Sequence, residues 1–138
     1  MALLARKSGH SNAARDFDRA SDRLAMDAVD RAYLARFTLG NVALEREVLE
    51  LFVAQAPVYL QRLREADCAK VWRQATHTIK GSASAIGAWR LARLAELAER
   101  VDGSQTAVRE GDRDEAAAAV AMATEEVCRY IARLFQAA

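Results

Sequence analysis

A helical repeat of apolar side chains constrains the fold most. It recurs in four segments, and short polar or glycine-bearing joints separate them. From Val42 to about Ala66 the repeat is carried by Leu44, Val48, Leu51, Phe52, Tyr59 and Leu63, with Gln55 as its one polar member. A second segment covers about Ala69 to Ile86. A third starts near Trp89 and sets Leu91, Leu94, Ala98, Val101 and Val108 on one side. The fourth runs from about Arg113 to Phe135, anchored by Val120, Val127, Ile131, Leu134 and Phe135. Each stripe must be covered, and four amphipathic helices with short joints cover one another as an antiparallel bundle. The expected fold is all-α, with up-down-up-down order.

The joints carry their own signals. Val29, Tyr33, Leu34 and Phe37 make a shorter amphipathic stretch, an extra N-terminal helix that "TLGN" breaks before Asn41 caps the next one. Pro57 lies inside the first long helix and should bend it or leave a carbonyl unpaired. Gly87 is the natural stop for the second. In "EGDRDEA", Gly111 can end a helix, and Asp112 with Glu115 has the form of a capping box. Gly103 weakens the third helix within "DGSQT". Residues 1 to 28 show only weak apolar repetition and read as a mobile leader before one domain at 29–138.

Composition removes several function classes. Twenty basic and nineteen acidic side chains leave a formal net charge of +1, so no global positive field marks a nucleic-acid binder. Arg90, Arg93 and Arg100 on the third helix are expected to pair with Glu96, Asp102 and neighbouring acids. Cys68 and Cys128 are too few and too far apart in sequence for a disulfide framework or a zinc site. The apolar start is too short for a signal peptide, and no run approaches a membrane span. A soluble cytoplasmic protein is expected.

Within the second helix, one face stands out. At 100° per residue, Trp72, Ala75, Ile79, Ala83 and Ile86 fall in one sector, which must be the core stripe. His77 falls nearly opposite, with Arg73, Lys80, Gly81 and Ser84 on the same outward side. A glycine inside a helix costs about 1 kcal/mol relative to alanine, so Gly81 calls for a reason. It removes a side chain beside the imidazole, which is the clearance that a macromolecule or a bulky phosphoryl group would need. Lys80, three residues on, sets a flexible point charge beside the same spot. An exposed nucleophilic nitrogen, a cation and open space suit a histidine that carries a phosphoryl group.

Folding the second and third helices back about Gly87 and Ala88 makes residues equidistant from that turn neighbours. His77 and Glu99 would then share a height, and by the same symmetry Gly81 faces Ala95 and Ser84 faces Ala92. A carboxylate that accepts from one ring N–H would fix the tautomer and free the other nitrogen. Glu99 as a solvated surface charge stays the other reading of that residue.

The stretch "HTIKGSASAIGA" resembles the histidine-containing phosphotransfer (HPt) domain, whose pattern is His-x-x-Lys-Gly-Ser/Ala followed by a second glycine. His77, Lys80, Gly81, Ser82 and Gly87 match it in type and spacing, and the resemblance extends from about Asp30 to the C-terminus. It implies a four-helix bundle that accepts a phosphoryl group on His77 from a response-regulator receiver aspartate or a sensor or hybrid histidine kinase. The bundle would then pass it to another receiver. It implies that Lys80 steadies the group, that Gly81 and its neighbours Arg73, Ser82, Ser84 and Gly87 leave room for the docking partner, and that Glu99 sits where some members carry a carboxylate. Such a domain is a carrier and not an enzyme. It needs no cofactor of its own, and the magnesium of phosphoryl transfer belongs to the partner receiver. A monomer is expected, because the histidine face must stay free, and neither nucleic acid nor membrane is a partner. The alternative is a non-catalytic helical interaction module that docks on a signalling partner, and the chain could also be a piece of a kinase-fused protein.

Overall fold

The computed structural model describes residues 27–102 and 110–137. Those residues hold five helices and no strand: α1 (Arg31–Phe37), α2 (Val42–Glu65), α3 (Ala69–Ala85), α4 (Trp89–Glu99) and α5 (Glu110–Ala137). The four longer helices pack in a closed ring, each against its neighbour in sequence and α2 against α5, while α1 leans on α2. The core lies along the axis of that ring. It takes Leu49, Phe52, Ala56 and Leu63 from α2, Trp72, Ala75, Ile79 and Ala83 from α3, Leu91, Ala92, Ala95 and Ala98 from α4, and Val120, Val127 and Ile131 from α5.

For α3 the stripe is the one that the periodicity predicts. For α2 the prediction holds in part. Phe52 and Leu63 are buried and Val48 and Tyr59 flank the core as expected, whereas Leu44 and Leu51 face outward and Leu49, Ala56 and Leu60 complete the inner face. Phe37 is likewise exposed, so α1 is anchored by Leu34 and the preceding Val29 instead. α2 continues through Pro57, which stands on the exposed side. Lacking an N–H, it cannot donate to the carbonyl of Val53, itself an exposed residue.

Side-chain caps start two of the helices. Asp30 accepts from the Tyr33 amide and starts α1, and Asn41 accepts from the Leu44 amide and starts α2, each at 3.1 Å. Between them Leu39 and Gly40 adopt left-handed backbone, and the Gly40 amide reaches back to the Ala35 carbonyl. α5 departs from the expected start. It is already helical at Glu110, so Gly111 and Asp112 lie inside it and form neither a stop nor a capping box. One internal glycine costs only about 1 kcal/mol, and the four alanines at 116–119 favour helix directly after it. The reading of Gly103 and Val108 falls outside the described residues.

α3 ends as its sequence predicts. The Ala88 amide donates to the Ala83 carbonyl at 2.8 Å and the Gly87 amide to the Ser84 carbonyl at 3.2 Å, with Gly87 at φ +74°. This is the Schellman arrangement, in which a left-handed residue lets two amides reach back over the last turn. The turn is also a docking point for the chain before α1. The Asp30 amide donates to the Gly87 carbonyl at 2.9 Å, Trp89 Nε1 donates to the Asp30 carboxylate at 3.0 Å, and Tyr33 meets Trp89 edge to face at 4.7 Å. These contacts fix where α4 leaves the turn, and therefore which of its side chains stand beside α3.

Candidate functional site

The site is built on the wet face of α3. With Trp72, Ala75, Thr76, Ile79 and Ala83 all turned into the core, the residues between them have to face out. His77 is exposed, and no hydrogen bond or ion pair engages its ring among the described residues. Beside it, Thr76 is fully buried and its hydroxyl donates to the Trp72 and Arg73 carbonyls. A sealed side chain and an open one are therefore consecutive in the chain.

Gly81 lies one turn on, exposed, in regular helix. A Cβ built there would meet no heavy atom within 4 Å. Packing therefore does not require this glycine. What its hydrogen provides is clear space next to His77. Ser82 and Ser84 are half-buried and small. Gly87, grouped with them by the sequence motif, is buried beneath Asp30 at the helix end, where it serves the turn.

The ionic partners reveal the register of α3 against α4. Lys80 Nζ stands 3.8 Å from Glu96 Oε1, and Arg73 Nη1 is 2.9 Å from Asp102 Oδ2. Positions 80 and 96 average 88, and 73 and 102 average the same to within half a residue, so the helices do fold back about the Gly87–Ala88 turn. Ala92 and Ala95 are both buried, and Ala92 lines one groove with Ser84. Glu99 is half-buried on the same helix and makes no hydrogen bond to His77. The carboxylate that engages this site's cation is Glu96. Applying the hairpin arithmetic to Lys80 as well as to His77 would have found it.

Of the arginines on α4, Arg90 pairs outside its own helix: its Nη1 reaches Glu126 of α5 at 3.4 Å, while Glu96 and Asp102 are engaged across the hairpin by Lys80 and Arg73. Asp102 is almost fully buried, and its carbonyl accepts from Arg113 Nη2, whose guanidinium lies over the Trp72 ring. Trp72 Nε1 in turn donates to the Ala98 carbonyl at 2.7 Å. Arg73 thus belongs to a structural knot at the far end of the hairpin, with its outer half still open to solvent.

Two shallow grooves flank the histidine face. One of about 420 Å³ runs between α2 and α3 past Tyr59, Arg62, Gln74 and Thr78. The other, of about 440 Å³, lies between α3 and α4 and carries Lys80, Ser84, Arg93, Glu96 and Arg100. No group of three or more His, Cys, Asp or Glu side chains is placed to hold a metal among the described residues, and no described helix is long and apolar enough to cross a membrane. The arrangement can present an imidazole to a large partner and can place one cation beside whatever that imidazole carries.

The comparisons with known proteins agree with that geometry. The family model described as the Hpt domain matches residues 47–137, which is 91 of the 138 residues. No curated protein and no solved structure matches the chain significantly. The matched span takes in most of α2 and all of α3, α4 and α5, and the outward histidine lies within it. The chain belongs to the Hpt-domain family, the helical phosphocarriers of two-component signalling.

Proposed function

We propose that this protein relays a phosphoryl group through His77, taking it from a receiver-domain aspartate or a histidine kinase and handing it to another receiver. The observation that carries the reading is the ring of His77, uncovered and unbonded on the wet face of α3, with Gly81 leaving clear space that the fold does not need. In the receiver-to-carrier step a ring nitrogen lone pair forms an N–P bond while the P–O bond of the aspartyl phosphate breaks. The aspartate leaves as a carboxylate, and the ring proton passes to solvent. Phosphoryl transfer of this kind depends on positioning and charge stabilisation more than on covalent machinery. The partner supplies the magnesium. Lys80 supplies a cation toward the transferred oxygens, and for Glu99 to orient the ring it must turn toward an imidazole it does not bond in this structure. In this reading the helices run up-down-up-down, the grooves beside α3 receive the partner's surface, and a monomeric, cytoplasmic carrier keeps that face free.

The test is direct. A receiver charged with radiolabelled acetyl phosphate should pass acid-labile, base-stable label to this chain, and His77→Gln should receive none. A chain that takes up no label, or equal label without His77, would be an interaction module instead.

A further inference from the structure

The Lys80–Glu96 ion pair has no place in the relay as stated so far, and it bears on the group next to the histidine. Both side chains are partly solvated, with 38 % and 49 % of their surface exposed, and their charged atoms are 3.8 Å apart. An exposed pair of this kind is weak and its partners exchange readily. Lys80 also sits three residues from His77, on the same side of α3, so the ammonium has two sites within reach of one flexible stem. Glu96 has alternatives as well. Arg93 on α4 and Arg100 at its C-terminal end stand at i−3 and i+4 from it and line the same groove.

We propose that Glu96 is a positioning residue that acts through Lys80: it holds the ammonium while His77 is bare and competes with the phosphoryl group for it afterwards. This rests on the reading of His77 as the phosphoryl acceptor. A phosphoryl group on the ring brings close to two negative charges against the single charge of Glu96, so Lys80 turns toward it and Glu96 falls back on its arginine neighbours. The carboxylate thereby weakens the hold on phosphohistidine. It keeps the N–P bond labile enough for onward transfer, and its removal should make the phosphorylated carrier longer-lived.

The test uses the full chain and phosphoramidate, a small donor that needs no receiver. The ring nitrogen forms its N–P bond as the donor's P–N bond breaks, and the ring proton leaves on ammonium. Decay of the phosphorylated protein is followed by phosphorus NMR at neutral pH for the wild type, Glu96→Gln, Lys80→Ala and the double variant. Glu96→Gln should lengthen the lifetime by about two- to fivefold, the scale of an exposed ion pair, and should change nothing once Lys80 is alanine. Melting curves of the four proteins check that the fold is retained. An unchanged lifetime in Glu96→Gln overturns the proposal. So does a lengthening that persists without Lys80, since the carboxylate would then act on the phosphoryl group directly. In both cases the relay reading survives. Failure of the wild type itself to take up phosphate removes the relay reading, and this proposal with it.

Discussion

Gly81 and Gly87 lie six residues apart in one motif, and their surroundings could hardly differ more. Gly87 is buried at φ +74°, and a Cβ there would stand 3.0 Å from both the Cβ and the carbonyl oxygen of Asp30. Gly81 is exposed in regular helix with nothing near its missing side chain. The first glycine answers to the fold, because it ends α3 and admits the chain before α1. The second answers to nothing inside the molecule. A residue that weakens its helix without improving any contact is best explained by something outside the chain, and the partner's approach to His77 is that explanation.

The largest effect expected from this comparison is at the buried glycine. Gly87→Ala imposes a left-handed alanine and a contact with Asp30 that backbone cannot relieve cheaply. The strain and the overpacking together should cost about 2–4 kcal/mol. Urea unfolding should show a clearly lowered midpoint with an unchanged slope, and labelling of whatever stays folded should be normal. If Gly87→Ala were harmless to stability, the division of roles between the two glycines would collapse.

Asp30 sharpens the same point from the other side of the contact. Its carboxylate accepts from Trp89 Nε1 and from the Tyr33 amide, and these bonds hold its pKa below the ordinary aspartate value. A depressed pKa means that the ionised form is favoured in the folded state. The stability it contributes is therefore present above the unfolded aspartate pKa and is lost as pH falls through the folded one. Asp30→Ala removes the helix cap and strands the indole N–H, at a cost of about 2 kcal/mol near neutral pH. That cost should shrink in acid as the wild type loses its own charge. A pH-independent difference between the two proteins would show that the ionised carboxylate is not what anchors this turn.

How far these roles were legible in the sequence depended on how many physical constraints acted on each residue. α3 could be read face by face, because its stripe of Trp72, Ala75, Ile79 and Ala83 has no competitor, and the outward position of His77 follows from it. α2 could be read only in part, because Leu44 and Leu51 share the helical spacing of buried Phe52 and Leu63 yet face outward, and only packing against the neighbouring helices excludes them. The start of α5 was hidden for a different reason. Local signals at Gly111 and Asp112 are worth about 1 kcal/mol each, and a long helix with a packed face overrides them. At the site, the hairpin register was available from arithmetic alone, but partner choice was not. Lys80 meets Glu96 because α4 turns that side chain toward it, and helix rotation is set by the buried face and by the Asp30–Trp89 contact. The role of Gly87 was half visible: its place at the helix end follows from sequence, its contact with Asp30 only from the fold.

The smallest expected effect on stability comes from Gly81, and its sign is the informative part. Alanine there meets open space in a helical backbone that alanine prefers, so Gly81→Ala should stabilise the protein by about 0.5–1 kcal/mol. Gly81→Gln should lie close to the alanine variant in stability, since glutamine is also a good helix former. Phosphotransfer from a charged receiver should fall even though stability rises, modestly for alanine and almost completely for glutamine, as the added side chain fills the approach to His77. Phosphorylation by phosphoramidate separates obstruction from damage. A small donor needs far less room than a receiver, so Gly81→Gln should still accept phosphate from it. Gain of stability with loss of receiver-dependent transfer is a combination that no structural role for this glycine can produce. Transfer at the wild-type rate in Gly81→Gln would mean that the open space beside the imidazole has no part in docking.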